Sequence, residues 1–329
     1  MKAYILLLSL LGYNTYGQSV SLISSGTETS LRGISVVSDK IIWVSGSNGT
    51  IGRSLDGGLT WKWFIVKEFE KTDFRDIEAF DQVTAIIMGI SSPAYLLKTI
   101  DGGNKWKVVF KNNTPEMFLD AMEFWNERSG IVTGDPIDHK FFISRTFDGG
   151  DTWQVLPKGN LPIADSGEAC FASSGTNVRK LSKSEACFIS GGLRSRLYLR
   201  DAIYDMPILQ GKETTGANSI AIKNSKTMIV VGGDFLTPDS TNKNCVITHD
   251  AGRSWSYPST PPHGYRSCIE YLGNREWICC GTNGVDYSSD DGNTWLWVSK
   301  ESFNACRKAK KGHAVFLTGA HGKIGRFSK

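Results

Sequence analysis

Strong net charge, clustered histidine, metal-type cysteine spacing, helical stripes and membrane-length apolar runs are all missing from this 329-residue chain. The formal charge is only +4, which argues against a nucleic-acid surface. The one basic run, Arg307 to Lys311, reads as a solvated strand end or loop. The five histidines (His139, His249, His263, His313 and His321) are scattered. None of the seven cysteines stands in a Cys-x-x-Cys or Cys/His spacing, so neither metal nor cofactor is expected. With no 3.6-residue apolar periodicity and no Pro/Ser-rich linker, one large all-β domain is left. The apolar run Ala3 to Leu11 is too short to span a bilayer. It follows Met1-Lys2 and precedes Thr15-Tyr16-Gly17, the pattern of an export signal cleaved before Gln18. Residues 1–17 are therefore expected to be a signal peptide, and 18–329 a single exported domain, periplasmic or secreted and monomeric.

What is present is one phrase, five times: SLDGGLTW (54–61), TIDGGNKW (99–106), TFDGGDTW (146–153), THDAGRSW (248–255) and SSDDGNTW (288–295). Strand-like residues flank each copy, so the phrase is a hairpin corner. Asp56, Asp101, Asp148, Asp250 and Asp290 can fold back onto nearby backbone N–H groups, and the glycine two residues on supplies positive φ. A tryptophan three residues later anchors the outgoing strand. Local chemistry makes these aspartates turn formers rather than catalysts.

Spacing then sets the architecture. The aspartates at 56, 101, 148, 250 and 290 lie 45, 47, 102 and 40 residues apart. The gap of 102 is two periods, with one decayed corner near Leu199 to Asp205. There Glu168 to Ser173 and Ala186 to Gly191 read as the first two strands of a blade. A second repeat, SGSNGTIGRS (45–54), CGTNGVDYSS (280–289) and TGAHGKIGRF (318–327), marks tight hairpins. Each period holds four short strands, the content of one propeller blade. Inner strands start at Leu31, Phe74, Phe118, Gly167, Ala217, Tyr265 and Phe303, which makes seven blades. The last lacks its fourth strand, and the apolar run at residues 19–25 is expected to supply it and close the ring. The fold class is thus an all-β, seven-bladed propeller of four-stranded antiparallel blades.

Cys170 with Cys187, and Cys268 with Cys279 or Cys280, fall on neighbouring strands, where bridges and buried thiols are both open. Function is expected on the face opposite the corners. The second residues of the inner strands fall there: Arg32, Arg75, Leu119, Glu168, Asn218, Arg266 and Asn304. Strand ends paired among themselves would explain the polar six, and so would a mouth that recognises anions. Long loops on the same rim bring Asp135, Asp138, Asp165, Asp234 and Asp239 to the arginines.

The corner phrase resembles the Asp-box, or BNR repeat, of sialidases and other β-propellers, where it sits opposite the ligand site. The stretch LRGISVVSDKIIWVSGSNGTIGRSLDGGLTW (31–61) with FRDIEAF (74–80) resembles the photosystem II stability/assembly factor family and its non-photosynthetic relatives. That resemblance implies a non-enzymatic binding or assembly propeller with an arginine-rich patch. Arg32 and Arg75 stand where such residues belong, and the ligand would be an acidic or carboxylate-bearing protein or peptide client, with a glycan as the alternative. A sialidase-type glycosidase is the competing reading. It would use Arg32, Arg75 and Arg266 as a carboxylate clamp and Tyr265, Glu168 and Asp135 as catalytic groups. Against it, the usual Arg-Ile-Pro opening is here Arg32-Gly33-Ile34, and seven blades exceed the sialidases' six.

Overall fold

In the computed structural model, residues 17–23 and 26–329 are described; the leader expected at 1–17 lies almost wholly outside them. Seven sheets are arranged as the blades of a propeller. Blade one is Leu31–Val36, Ile42–Gly46, Thr50–Ser54 and Lys62–Ile65, and blades two and three repeat that meander from Phe74–Ala79 and Leu119–Phe124. Blade six starts at Cys268–Gly273. Blade seven is Ala305–Lys308, Val315–Thr318 and Ile324–Ser328, with Ser19–Ile23 as its outer strand, Leu22 opposite Gly325. The first segment of the chain thus completes the last blade. The core lies in layers between blades. Trp43 and Ile51 of blade one, for example, pack with Ala85, Ile87 and Leu97 of blade two.

The repeated corners all lie on one face, here the lower. In the first, Ser54 Oγ accepts from Gly58 N at 2.9 Å, while Asp56 accepts from Thr60 N at 2.9 Å and Thr60 Oγ at 2.6 Å. The same pattern recurs at Asp148, Asp250 and Asp290. Hydrogen bonds of this kind favour the carboxylate; those from Thr60 are the main cause that holds Asp56 at about 2. Trp295 is buried and donates Nε1 to Gly292 O at 2.8 Å, so the indole is tied to its own turn.

Blade four departs from the sequence-based expectation. Its inner strand is Val178–Lys180, not the run from Gly167 to Ser173. Glu168–Ala169 instead pairs with Gly191–Gly192, which joins the blade-five sheet of Thr215–Ile222, Met228–Asp234 and Cys245–Thr248. Between these strands the chain leaves the sheet and crosses the propeller axis. Small and hydroxylated residues make this crossing fit. Ser174 Oγ donates to Ser267 O at 2.7 Å, and Thr176 Oγ1 lies 2.5 Å from Ser219 Oγ. Arg307 Nη2 donates to Ser174 O at 3.0 Å, and a side chain at Gly175 would collide with Asp76 of blade two. One segment therefore touches blades two, five, six and seven and closes the axial channel. The decayed corner is a tight turn through Arg200 and Asp201, with Leu199 opposite Ala202. All seven cysteines are buried free thiols. Cys268 does face Cys280 across the ladder, but Cys170 lies outside the blade-four sheet, so its pairing with Cys187 has no adjacent strands to act on.

Candidate ligand-binding site

A shared irregularity in the inner strands builds the upper mouth. In blade one the ladder pairs Leu31 with Gly46 and then Gly33 with Ser45, which leaves Arg32 outside the register. The same slip frees Arg75, Asp120 and Asn218 in blades two, three and five. An extra residue of this kind re-aims its side chain out of the alternation. Arg32, Arg75 and Asn218, with Asn304 of blade seven, line one bowl of about 350 Å³ that also takes in Ala172 and Ser173 of the crossing segment.

The polar groups of the bowl are unequal. Asn218 is largely engaged: its Oδ1 accepts from Tyr265 Oη at 2.8 Å and Ser173 Oγ at 3.2 Å, and its Nδ2 donates to Gly216 O. Asn304 Nδ2 donates to Leu31 O at 2.9 Å. Arg75 gives Nε to Asp73 at 2.8 Å and lies over the Phe118 ring at 6.0 Å. Arg32 is half-buried and makes no hydrogen bond or ion pair among the described residues. Burial, and then the neighbouring Arg75 charge, lower its pKa, and the Asp73 carboxylate, which is paired with Arg75, offsets this only in part. An unpaired guanidinium beside a second one is an anion site in waiting.

The remaining sequence-predicted residues go elsewhere. Arg266 is fully buried; its Nε and Nη2 bind Asp286, and its Nη1 donates to Tyr265 O and Asn283 Oδ1. The blade-six ladder starts at Cys268, so Ser267, one residue on, holds the ring position and lines the bowl. Blade three is also one residue out of phase. Leu119 belongs to the core, while Asp120 is fully buried with neither oxygen in a hydrogen bond of ordinary geometry. Burial and the nearby Asp135 push its pKa well up. Glu168 is buried and accepts from Ser190 Oγ, Arg196 and Tyr198 Oη. Asp135 accepts from Cys170 N at 2.9 Å and, raised to about 6 by burial, faces a separate cleft between blades three and four. Tyr265 is in the bowl without either acid. Asp135 and Glu168 thus share that cleft, while Tyr265, Arg32 and Arg75 lie in the bowl and Arg266 is buried, so the acids of the glycosidase set are apart from its tyrosine and from the arginine trio.

Nor do the rim aspartates meet the arginines. Asp138 pairs with Lys158 at 2.9 Å, Asp165 with Arg194, and Asp239 accepts from Asn283. Asp234 is buried and starts a turn by accepting from Leu236 N. Sequence reasoning missed Phe171, Phe235 and Thr282, which also line the bowl. An apolar pair, Phe235-Leu236, inside the polar loop GGDFLTPDSTNKN was the available signal. Among the described residues no group of side chains suited to a metal ion occurs, and no helix is long and apolar enough to cross a membrane.

No family model matches the chain, and no curated protein matches it in sequence. Solved structures share the fold. The structure described as YCF48 bound to D1 peptide superposes with a TM-score of 0.68 at 16% identity, covering 95% of this chain and 97% of that one. YCF48 from Cyanidioschyzon merolae gives 0.65 at 16% identity, over 94% and 98% of the two chains. The WD40 β-propeller domain of Doa1 gives 0.61 at 12% identity, over 95% and 98%.

Proposed function

We propose that this chain is a non-enzymatic binding or assembly scaffold of the photosystem II assembly factor type, exported to work outside the cytoplasm. Its upper bowl captures a carboxylate-bearing segment of a protein client. The observation that carries the reading is Arg32, half-buried beside Arg75 and without a hydrogen bond or ion pair among the described residues. Desolvation of a cation is unfavourable unless an anion compensates it, and a client carboxylate supplies that anion. Support also comes from the similar propeller described as bound to a peptide. The rigid ring and the closed axis suit holding a segment rather than processing it, and with Glu168 and Asp135 in a different cleft from Tyr265, Arg32 and Arg75, a glycosidase would lack its tyrosine and its carboxylate clamp beside its acids.

Fluorescence anisotropy with a labelled Asp/Glu-containing peptide tests the reading. Arg32→Gln keeps the bulk and removes the charge, and a lost charge-assisted contact of about 1.5–3 kcal/mol weakens binding roughly tenfold or more. Binding unchanged in Arg32→Gln, or no binding by wild type, would refute it. N-terminal sequencing of the protein from an exporting host tests the leader: a mature start at Gln18 is expected, and an intact Met1 speaks against export by cleavage.

A further inference from the structure

We propose that the bowl reads two adjacent features of its client, a carboxylate and the large apolar side chain next to it, with Phe235 as the residue that recognises the apolar side chain. The proposal rests on the scaffold reading above and specifies its ligand. The bowl is two-sided. Arg32 and Arg75 come from blades one and two. Across the ring, Phe171 from the crossing segment, Phe235 from the blade-five loop and Tyr265 at the start of blade six form an aromatic wall.

Phe235 is the exposed member of that wall, at 41%. It is nevertheless held in place. Its ring meets Phe171 at 6.3 Å and Tyr265 at 6.4 Å, both edge-on. Its own N–H donates to Thr214 O at 3.3 Å, and the next residue's N–H is fixed by Asp234 Oδ1 at 3.0 Å. A large apolar ring kept partly in water by two aromatic neighbours and a pinned backbone gains from being covered. Asn218 between the walls is buried and its carbonyl oxygen is already filled by Tyr265 and Ser173, so it is not a competing acceptor for the client. At about 350 Å³ the bowl is at the small end of ligand sites. A short extended segment fills it, and a purely acidic one would leave the aromatic wall wet.

Calorimetry with three N-acetylated, C-amidated pentapeptides tests this: Gly-Ser-Asp-Phe-Gly, Gly-Ser-Asp-Ser-Gly and Gly-Ser-Asn-Phe-Gly. Wild type should bind the Asp-Phe peptide about tenfold more tightly than the Asp-Ser peptide, as expected for covering most of one aromatic side chain, and more tightly than the Asn-Phe peptide. Phe235→Ala, an exposed position, should erase the Asp-Phe over Asp-Ser preference. Equal binding of the two Asp peptides, or a preference that survives Phe235→Ala, overturns the inference and leaves the scaffold reading standing. Failure of all three to bind overturns both.

Discussion

Blade four, like blade seven, lacks the Asp-Gly-Trp corner, and its third strand carries a buried charge cluster at the end away from the decayed turn. Glu168 is fully buried and Arg196 nearly so, with side-chain exposures of 0% and 10%. Arg196 Nε donates to the carboxylate at 2.9 Å, Tyr198 Oη donates at 2.9 Å, and Ser190 Oγ donates as well. In Arg196→Met the carboxylate keeps two hydroxyl donors and the Asp165 N–H, at 2.8 Å, but loses its only guanidinium. Breaking a buried pair from one side typically costs about 3–5 kcal/mol, because the remaining charge is uncompensated. For a domain of this size that lowers Tm by about 5–8 °C. Glu168→Gln/Arg196→Met removes both charges, and the double variant should recover at least half of the loss. Urea unfolding of wild type, both single variants and the double variant gives the coupling energy directly. Additive losses, with the double variant as unstable as the sum of the singles, would refute the claim that this pair is a compensated buried charge cluster.

Two other outcomes follow from the same packing. The raised carboxyls Asp76 (about 7), Asp135 (about 6) and Asp120 favour their protonated forms in the folded state, so their contribution to stability falls as pH rises from about 4 through those values, whereas the corner aspartates, held low, lose theirs only as pH falls from about 4 toward 2. Urea midpoints should therefore decline between pH 4.5 and 7.5, less steeply in Asp120→Asn, and a rising profile would contradict the assignment. Gly150 has φ of +81° and a Cβ there would press on Ile86 Cδ1. Gly150→Ala should cost about 1–2 kcal/mol or more, while Gly159→Ala, which meets nothing within 4 Å, should leave the thermal midpoint unchanged.

The ring was legible in the sequence because its period is carried by residues with no alternative use: Asp, Gly and Trp at fixed offsets in a turn. Closure by the N-terminal strand followed from counting strands against blades. The bowl was half legible. Arg32, Arg75, Asn218 and Asn304 were found by stepping one residue past an apolar start, a step that works for the first three because the ladder slips at that residue and for Asn304 because it stands just before its ladder. In blade six Tyr265 resembles the apolar start but belongs to the bowl itself, so the register moved by one and Arg266 turned into the sheet instead of Ser267. A shift of one residue reverses a strand's faces, and nothing local in Tyr-Arg-Ser-Cys reveals it. Blade four failed for a different reason. The run from Glu168 to Ser173 has strand-like residues, but Ser174-Gly175-Thr176 suits a path across the axis, a use that depends on carbonyls and hydroxyls brought from blades five and six by the fold.

The central claim is that the free guanidinium of Arg32 in the upper bowl is the anion-recognising group of a binding scaffold. The most direct measurement is the affinity of wild type and Arg32→Gln for one labelled acidic peptide across a series of salt concentrations. A roughly tenfold or greater weakening in Arg32→Gln, with a shallower salt dependence as one charge contact is lost, is the predicted result. Equal affinities and equal salt slopes would contradict it.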